Sequence, residues 1–272
     1  MSDLPAYSLD VDNSPPARLP RVWPERITRE WAWGGSSGKG VRVALLDSGI
    51  ERDHPQVGAV QRAVVVHVDE DGTAAIEDDE KGDVSGHGTA CASIIRALAP
   101  ECELSSVRVL GENLQGGGAQ LLAGLRWAVQ NGHQVVNLSL STTKRTFAAA
   151  LHDLADEAYF HRTVLVASAH NMAVDSWPWR FSSVVSVASH TDTDPFTFFY
   201  NERPPVEFLA RGVNVTMAWL GGGRIRATGN SFATPHIAGI CALILGRHSE
   251  LTAFQVKNVL YETASNVGGD EP

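Results

Sequence analysis

The stretch GNSFATPHIAG, from Gly229 to Gly239, places a serine directly before an apolar run that continues to Gly246. Small residues recur in this run three and four positions apart, which is typical of a helix buried on most sides. A serine in the first turn of such a helix lies beside unbonded backbone N–H groups and the positive end of the helix dipole, where an oxyanion is stabilised. A serine that only caps the helix explains the same pattern. Two interpretations of Ser231 therefore remain open at this stage, a cap and a nucleophile.

Two upstream stretches contain the partners that a serine nucleophile needs. VRVALLDSG, residues 41–49, is a short apolar strand that ends at Asp47, and SGHGTACASII, residues 85–95, leads from His87 into a helix of small residues. A serine hydroxyl becomes a good nucleophile when an imidazole accepts its proton, and a buried carboxylate fixes the tautomer of that imidazole. The presence of all three motifs favours the nucleophile over the cap.

Together the three motifs resemble those of the subtilases, the family of subtilisin-like serine peptidases. Asp47, His87 and Ser231 occur in the order Asp, His, Ser that subtilisin shows. The similarity extends from about Val22 to Ala264. It implies a single α/β domain with a mostly parallel central sheet and helices on both faces. It also implies peptide-bond hydrolysis by an Asp-His-Ser triad, without a cofactor or a catalytic metal.

The composition restricts the partners and the compartment. The 272 residues carry a formal net charge of -9, and 43% of them are hydrophobic. The hydrophobic share permits one sizeable core, and the negative charge argues against nucleic acid as a partner. No stretch approaches the roughly 18 apolar residues of a membrane span, and Met1–Pro20 lacks the apolar core of a signal peptide. Cys91, Cys102 and Cys241 show no paired spacing. We therefore predict a cytoplasmic protein.

The chain divides into two unequal parts. Residues 1–17 are polar and contain prolines, which predicts an irregular N-terminal extension, and residues 18–272 form the predicted catalytic domain. Secreted subtilases carry a long folded prodomain, so the short extension resembles that of intracellular members. Continuous apolar strands at 41–46 and 63–68 alternate with helical segments, as expected for a parallel sheet covered on both faces.

Two segments match the edges of the substrate cleft in the family, where the peptide pairs as an added strand. The predicted substrate-binding residues of these segments are Gly116, Gly117, Gly118, Ser139, Leu140 and Ser141. A flexible turn before the helix predicted at 119–131 would use the same three glycines. Ser141 and Thr142 replace glycines of the family pattern, which predicts a narrower or more polar first specificity pocket.

The loop after the strand at 163–169 matches the oxyanion-binding segment of the family. Relatives have Ala-Gly-Asn where this chain has Ala169-His170-Asn171, so Asn171 takes the role of oxyanion donor by position, and His170 is a departure. An asparagine at the end of a strand is otherwise a turn former. Asp175 falls where the family builds the floor of the first pocket. It either selects a basic substrate residue there or faces water.

An acidic run precedes the histidine motif. Its members are Asp69, Glu70, Asp71, Glu77, Asp78, Asp79, Glu80 and Asp83. Such runs are usually solvated surface loops, and the alternative is a rim that attracts basic substrates. Asp83 matches an acid that often precedes the family's histidine motif, which suggests a local structural role.

Cys91 lies one helical turn after His87. We expect its thiol to lie below the imidazole as an inert group, since a His–Cys metal pair would need further ligands. The helix that follows His87 has no room for the calcium-binding insertion of subtilisins.

We therefore predict a serine endopeptidase acting on peptides or proteins, with a dedicated precursor-processing enzyme as the narrower form. Basic residues around the scissile bond are the predicted preference, because Asp175 and the acidic run flank the expected cleft. The alternative from a different class is a catalytically silent binding or scaffold protein with the same fold.

Overall fold

The computed structural model describes Ala6, Ser8 and residues 23–267. The predicted N-terminal extension, residues 1–17, therefore lies outside the described residues except at those two positions, as do residues 18–22 and 268–272. The described chain from residue 23 onwards forms one α/β domain, as predicted.

A nine-stranded sheet forms the centre of the domain, with the strand order β3-β2-β4-β1-β5-β6-β7-β9-β8. The inner pairs from β2 to β9 are parallel, and the edge strands β3 and β8 are antiparallel to their neighbours. The strands of this sheet are β1 (Arg42–Asp47), β2 (Arg62–Val68), β3 (Ala74–Asp78), β4 (Glu103–Arg108), β5 (Val135–Leu138), β6 (Val164–Ser168), β7 (Val185–His190), β8 (Phe198–Tyr200) and β9 (Phe208–Arg211). A separate hairpin consists of β10 (Val215–Trp219) and β11 (Gly223–Ala227).

In the described part of the chain, six α-helices cover the two faces of the sheet. They are α1 (Arg29–Trp33), α2 (His87–Leu98), α3 (Gly118–Gln130), α4 (Ala148–Phe160), α5 (Asn230–Arg247) and α6 (Ala253–Thr263), with a 3-10 turn at Arg145–Phe147 before α4. One hydrophobic core joins α1, α2, α5 and α6 to the sheet, and the other joins α3 and α4 to its opposite face. The mostly parallel sheet flanked by helices on both faces is thereby confirmed.

Helix α5 is the central element of the first core. Every residue from Phe232 to Leu245 is buried, as its continuous apolar sequence predicts for a helix surrounded by protein. Pro235 is the sixth residue of this helix and lies beyond its first turn.

The acidic run is not the plain surface loop that its charge predicts. Residues 74–78 form β3, which pairs with β2 at the edge of the sheet. Six of the eight acids are exposed, as expected for a surface segment, namely Asp69, Glu70, Asp71, Glu77, Asp78 and Glu80. Exposed charges on an edge strand oppose pairing with other chains. The prediction was wrong about the strand because a solvated hairpin lacks an apolar face.

Asp79 is the fully buried acid of this run. Its carboxylate forms a two-pronged ion pair with Arg108, at 2.9 Å from Nε and 2.9 Å from Nη2. Its Oδ1 also accepts hydrogen bonds from the backbone N–H groups of Lys81 and Gly82. The pair therefore anchors the turn after β3 to the end of β4.

We expect Asp79→Asn to lower the free energy of unfolding by about 3 kcal/mol, because it leaves the largely buried guanidinium of Arg108 without a counter-charge. Chemical denaturation followed by tryptophan fluorescence measures the change. Asp78→Asn is the matched control, since Asp78 is exposed and its loss should cost less than about 0.5 kcal/mol. Equal unfolding free energies for the two variants would contradict the anchoring role.

Candidate active site

Three parallel strands and two helices meet at one edge of the sheet. Asp47 is the last residue of β1, Ser139 follows β5 directly, and Asn171 lies just beyond β6. His87 is the first residue of α2, and Ser231 is the second residue of α5. The carboxyl ends of parallel strands open a crevice at such an edge, and helix N-termini point their free N–H groups into it.

His87 and Asp47 form a buried hydrogen-bonded pair. Nδ1 of His87 lies 2.8 Å from Oδ1 and 2.9 Å from Oδ2 of Asp47, and the carboxylate is fully buried. Oδ1 also accepts a hydrogen bond of 2.8 Å from the backbone N–H of Ser48. Because Nδ1 is occupied by the carboxylate, Nε2 is the ring nitrogen left for a partner in the crevice.

Burial and charge act in opposite directions on the imidazole. Burial lowers the pKa of His87, whereas the charge and hydrogen bonding of Asp47 raise it, and the net pKa lies above its ordinary value. Burial raises the pKa of the Cys91 thiol, so this thiol stays protonated at neutral pH. The negative charge that stabilises protonated His87 is therefore that of Asp47.

The backbone of Ser231 is tied down by a break in its own helix. Pro235 has no N–H, so the carbonyl of Ser231, four residues earlier, loses its helical hydrogen bond. The hydroxyl of Ser139 donates to this carbonyl at 2.8 Å, and the thiol of Cys91 donates to it at 3.5 Å. The amide of Asn137 donates in turn to the Ser139 hydroxyl at 2.9 Å. The first turn of α5 is thus fastened to β5 and α2.

Asn171 is oriented by the residue that precedes Ser231. Its Oδ1 accepts a hydrogen bond of 3.0 Å from the backbone N–H of Asn230. The Asn230 side chain donates to the carbonyls of Ala169 and His170 and accepts from the N–H of Ser189. With its oxygen engaged in this way, Asn171 has its amide N–H groups left to donate into the crevice.

A cleft of about 550 Å³ runs along this edge and contains His87, Ser231 and Asn171 in its walls. Its walls contain both apolar and polar side chains. The other residues that line it are Val109, Leu110, Leu114, Gln115, Gly116, Gly117, Leu121, Ser139, Leu140, Ser141, Thr142, Ser168, Ala169 and His170. Every ionisable group in its walls is a histidine.

The profile of the subtilase family matches residues 38–272, which include all the elements that form this cleft. The chain belongs to the subtilase family.

Individual subtilases are similar over most of this chain. Subtilisin DY from Bacillus licheniformis is 30% identical over 268 residues, covering 93% of this chain and 92% of that protein. Subtilisin Savinase from Lederbergia lenta is 31% identical over 245 residues, covering 86% and 87%. A thermostable alkaline protease from Halalkalibacterium halodurans is 31% identical, and the alignment covers 64% of its length.

A solved structure gives the same picture. A cold-adapted subtilisin-like serine proteinase superimposes with a TM-score of 0.68 at 28% identity, over 86% of this chain and 88% of that one. The predicted fold is thereby confirmed, and the chain is a subtilisin-like serine peptidase.

Most of the residues predicted from the subtilase motifs line the cleft. Asp47 lies buried behind His87, and Gly118 and Asp175 lie outside the cleft walls. Gly118 begins α3 and faces the ring of Phe147, which lies where a side chain at this position would point. Asp175 is outside the cleft walls; its carboxylate is 72% exposed and forms an ion pair with Arg180. Of the two alternatives for Asp175, the structure thus favours the one in which it faces water. The acidic run from Asp69 to Asp83 contributes no residue to the cleft either.

Three residues hold this subtilase site in shape, a role that the sequence motifs did not indicate for any of them. Asn230 fixes Asn171, Ser139 fixes Ser231, and Ser48 contacts both Asp47 and the start of α2. Asn230 and Ser48 directly adjoin Ser231 and Asp47 in the sequence, which is the signal that could have indicated them.

Cys91 lies where the sequence predicts, buried beneath the imidazole. Its Sγ is 3.9 Å from Nδ1 of His87 and 3.5 Å from Oγ of Ser139. Asp47, His87 and Cys91 place potential metal-ligating atoms within 4.8 Å of one another. These groups already satisfy one another by hydrogen bonds, and the thiol is protonated, so the arrangement is that of a hydrogen-bonded site rather than of an open ligand set.

We expect slow, time-dependent inactivation by p-hydroxymercuribenzoate, because a bulky group on Cys91 would displace His87 and the carbonyl of Ser231. Peptide hydrolysis followed over time measures the loss. Cys91→Ser should retain activity and resist the mercurial, whereas Cys102→Ser and Cys241→Ser should be inactivated like the unmodified chain. Inactivation of Cys91→Ser at the unmodified rate would contradict the assignment.

Proposed function

We propose that this subtilase is a serine endopeptidase with Ser231 as the nucleophile, His87 as the general base and Asp47 as the carboxylate that orients His87. The hydroxyl of Ser231 attacks the carbonyl carbon of the scissile peptide bond, and His87 accepts its proton at Nε2. His87 then donates that proton to the leaving amine, and water repeats the attack on the acyl-enzyme.

The observation that carries this proposal is the pairing of Nδ1 of His87 with both oxygens of the buried Asp47 carboxylate. This pairing fixes the tautomer that presents Nε2 as the base and stabilises the imidazolium that forms when the proton is accepted. The raised pKa of His87 has the same origin. Because hydrolysis requires neutral His87, the activity should rise as the pH rises through the pKa of His87.

Two donors are available to an oxyanion formed beside Ser231. One is the side-chain amide of Asn171, whose oxygen is engaged by Asn230. The other is the backbone N–H of Ser231, which lies in the first turn of α5 and has no carbonyl of its own helix to bond. Removal of the side-chain amide donor costs about 3–4 kcal/mol of transition-state stabilisation in subtilisin, a relative.

The cleft walls suggest how an extended peptide binds. Gly116, Gly117, Ser139, Leu140 and Ser141 all line the cleft. If the two glycines and the three later residues form its opposite edges, as in the family, a peptide between them would pair as an added strand. The narrower role, dedicated processing of one peptide precursor, is favoured by the side chains of Ser141, Thr142 and His170, which line the cleft where relatives have glycines. A cleavage profile on a peptide library tests it, since a dedicated enzyme cleaves few sequences.

We propose the cytoplasm as the compartment, on the evidence of three free, buried cysteines. No helix among the described residues has the length and apolar character needed to cross a membrane. Cell fractionation with an antibody to the chain would test the location.

We expect Ser231→Ala to abolish peptide hydrolysis while the thermal unfolding temperature changes little, because a single hydroxyl at the cleft surface is removed. A fluorophosphonate probe should label the unmodified chain and leave Ser231→Ala unlabelled. Ser249 lies just beyond the opposite end of α5, so Ser249→Ala is the control and should be labelled normally. Absence of labelling and hydrolysis in the folded, unmodified chain would favour the alternative of a catalytically silent binding protein.

The placement of Asp175 removes the basis for a preference for basic residues. Its charge is exposed and neutralised by Arg180, while the walls beside Ser231 offer hydroxyls and leucines. We expect peptides with Leu before the cleaved bond to be hydrolysed about tenfold faster than those with Arg, because a buried guanidinium would lack a counter-charge.

Fluorogenic peptides that differ at this one residue measure kcat/KM. Asp175→Ala should leave the ratio of Leu to Arg unchanged. A preference for Arg that disappears in Asp175→Ala would overturn this expectation and restore the acidic pocket floor.

A further inference from the structure

The carboxylate of Asp83 accepts five hydrogen bonds at the start of α2. Oδ1 accepts from the hydroxyl of Ser48 at 2.7 Å and from the N–H groups of Ser85 at 2.9 Å and Gly86 at 2.8 Å. Oδ2 accepts from the N–H of Thr89 at 2.8 Å and from its hydroxyl at 2.6 Å. Nothing in the described catalytic geometry uses this carboxylate directly.

These bonds replace the capping that α2 lacks. The helix begins at His87, and Gly86, its N-cap residue at a φ of 96°, has no side chain to bond the first N–H groups. The N–H of Gly88 donates instead to Oγ of Ser48, and that of Thr89 to Asp83. A carboxylate at this end also interacts favourably with the helix dipole. Asp83 and Ser48 thus cap the helix from outside it.

The same contacts reach Asp47 from the other side. Ser48 donates its hydroxyl to Asp83, accepts the N–H of Gly88 and donates its own N–H to Oδ1 of Asp47. One serine therefore joins the acid that orients the imidazole to the helix turn that carries the imidazole. A shift of the Asp83 carboxylate would move Ser48, and the distance between Asp47 and His87 would change with it.

We propose that Asp83 is a positioning residue that, through Ser48, sets the hydrogen bond between Asp47 and His87. This inference rests on the proposed function of those two residues. Asp83 does not touch the reacting atoms; it holds the end of β1 and the beginning of α2 in register. The glycines at the junction leave the backbone free to move unless such a side chain fixes it, since Gly49 has a φ of 105° and Gly86 one of 96°.

An amide cannot replace this carboxylate. Oδ1 faces two backbone N–H groups and Oδ2 faces one, and backbone N–H groups only donate. In Asp83→Asn, the NH2 group must therefore face a donor whichever way the side chain is turned. Ser48→Ala is a milder change, because it removes the connection to Asp83 and Gly88 while Asp83 keeps its other donors.

The experiment compares Asp83→Asn and Ser48→Ala with Asp79→Asn. Asp79 is another hydrogen-bonded carboxylate of the same segment, fully buried, and it contacts Arg108 instead of α2 or Ser48. Asp79→Asn therefore controls for a general loss of stability. Each variant is characterised by kcat and KM, by the pH dependence of kcat/KM, and by the low-field proton NMR signal of the proton between Nδ1 of His87 and Asp47. All measurements are made well below the unfolding temperature of the least stable variant.

We expect kcat to fall roughly tenfold to a hundredfold in Asp83→Asn, and less in Ser48→Ala, with KM nearly unchanged. The low-field signal should shift or broaden in both, and the acid limb of the pH profile should move to lower pH because a loosened Asp47 raises the pKa of His87 less. Asp79→Asn should leave signal and profile as in the unmodified chain. Unchanged signal and profile in folded Asp83→Asn, or the same change in Asp79→Asn, would overturn the proposal. The NMR signal also separates the two proposals, because it reports the pairing even in a chain that hydrolyses no peptide.

Discussion

A fully buried carboxylate at the end of β1, an inner strand of the sheet, is the constraint on which the site depends. Asp47 has no water to solvate it, so its charge must be matched by protein donors, and the N–H of Ser48 and Nδ1 of His87 provide them. To bring an imidazole this close, the first turn of α2 must nearly touch the loop after β1. Gly88 permits that approach, because a side chain there would collide with the carbonyl of Gly49. The buried charge of Asp47 therefore requires both the imidazole of His87 and a glycine at position 88.

At the nucleophile, a hydrogen bond that the helix cannot make is replaced by hydrogen bonds from neighbouring elements. Pro235 deprives the carbonyl of Ser231 of its helical donor, and a buried carbonyl without a partner would be costly. Ser139 and Cys91 meet that need from two neighbouring elements. The proline is tolerated inside a helix because other parts of the fold supply the donors. In return, the backbone of Ser231 is fixed to β5 and α2.

The sequence predicted what depends on local pattern and missed what depends on a distant partner. The apolar run of α5, the strands around Asp47 and the helix after His87 are recognisable because burial leaves its pattern in the residues themselves. The edge strands β3 and β8 and the hairpin strand β11 escaped because short or exposed strands lack that pattern. The direction of Asp175 depends on Arg180, and the inward turn of Asp79 depends on Arg108. Neither pairing can be deduced from charge alone, so a run of acids predicted to be solvated contains one of the most buried residues of the protein.

The relative placement of His87 and Ser231 comes from the packing of the two helices that carry them. Gly239 in α5 lets this helix approach α2 closely, since a side chain there would press against Leu98 at 3.0 Å. At the cleft end of the same contact, the ring of Phe232 lies 5.2 Å from that of His87. One interface therefore fixes the distance between base and nucleophile, while a separate junction at the end of β1 fixes the base against its carboxylate. The helix interface and the junction at the end of β1 are built from different contacts. Damage to the junction should therefore alter the protonation of His87 without moving Ser231. Damage to the interface between α2 and α5 should separate His87 from Ser231 and leave the pKa of His87 unchanged.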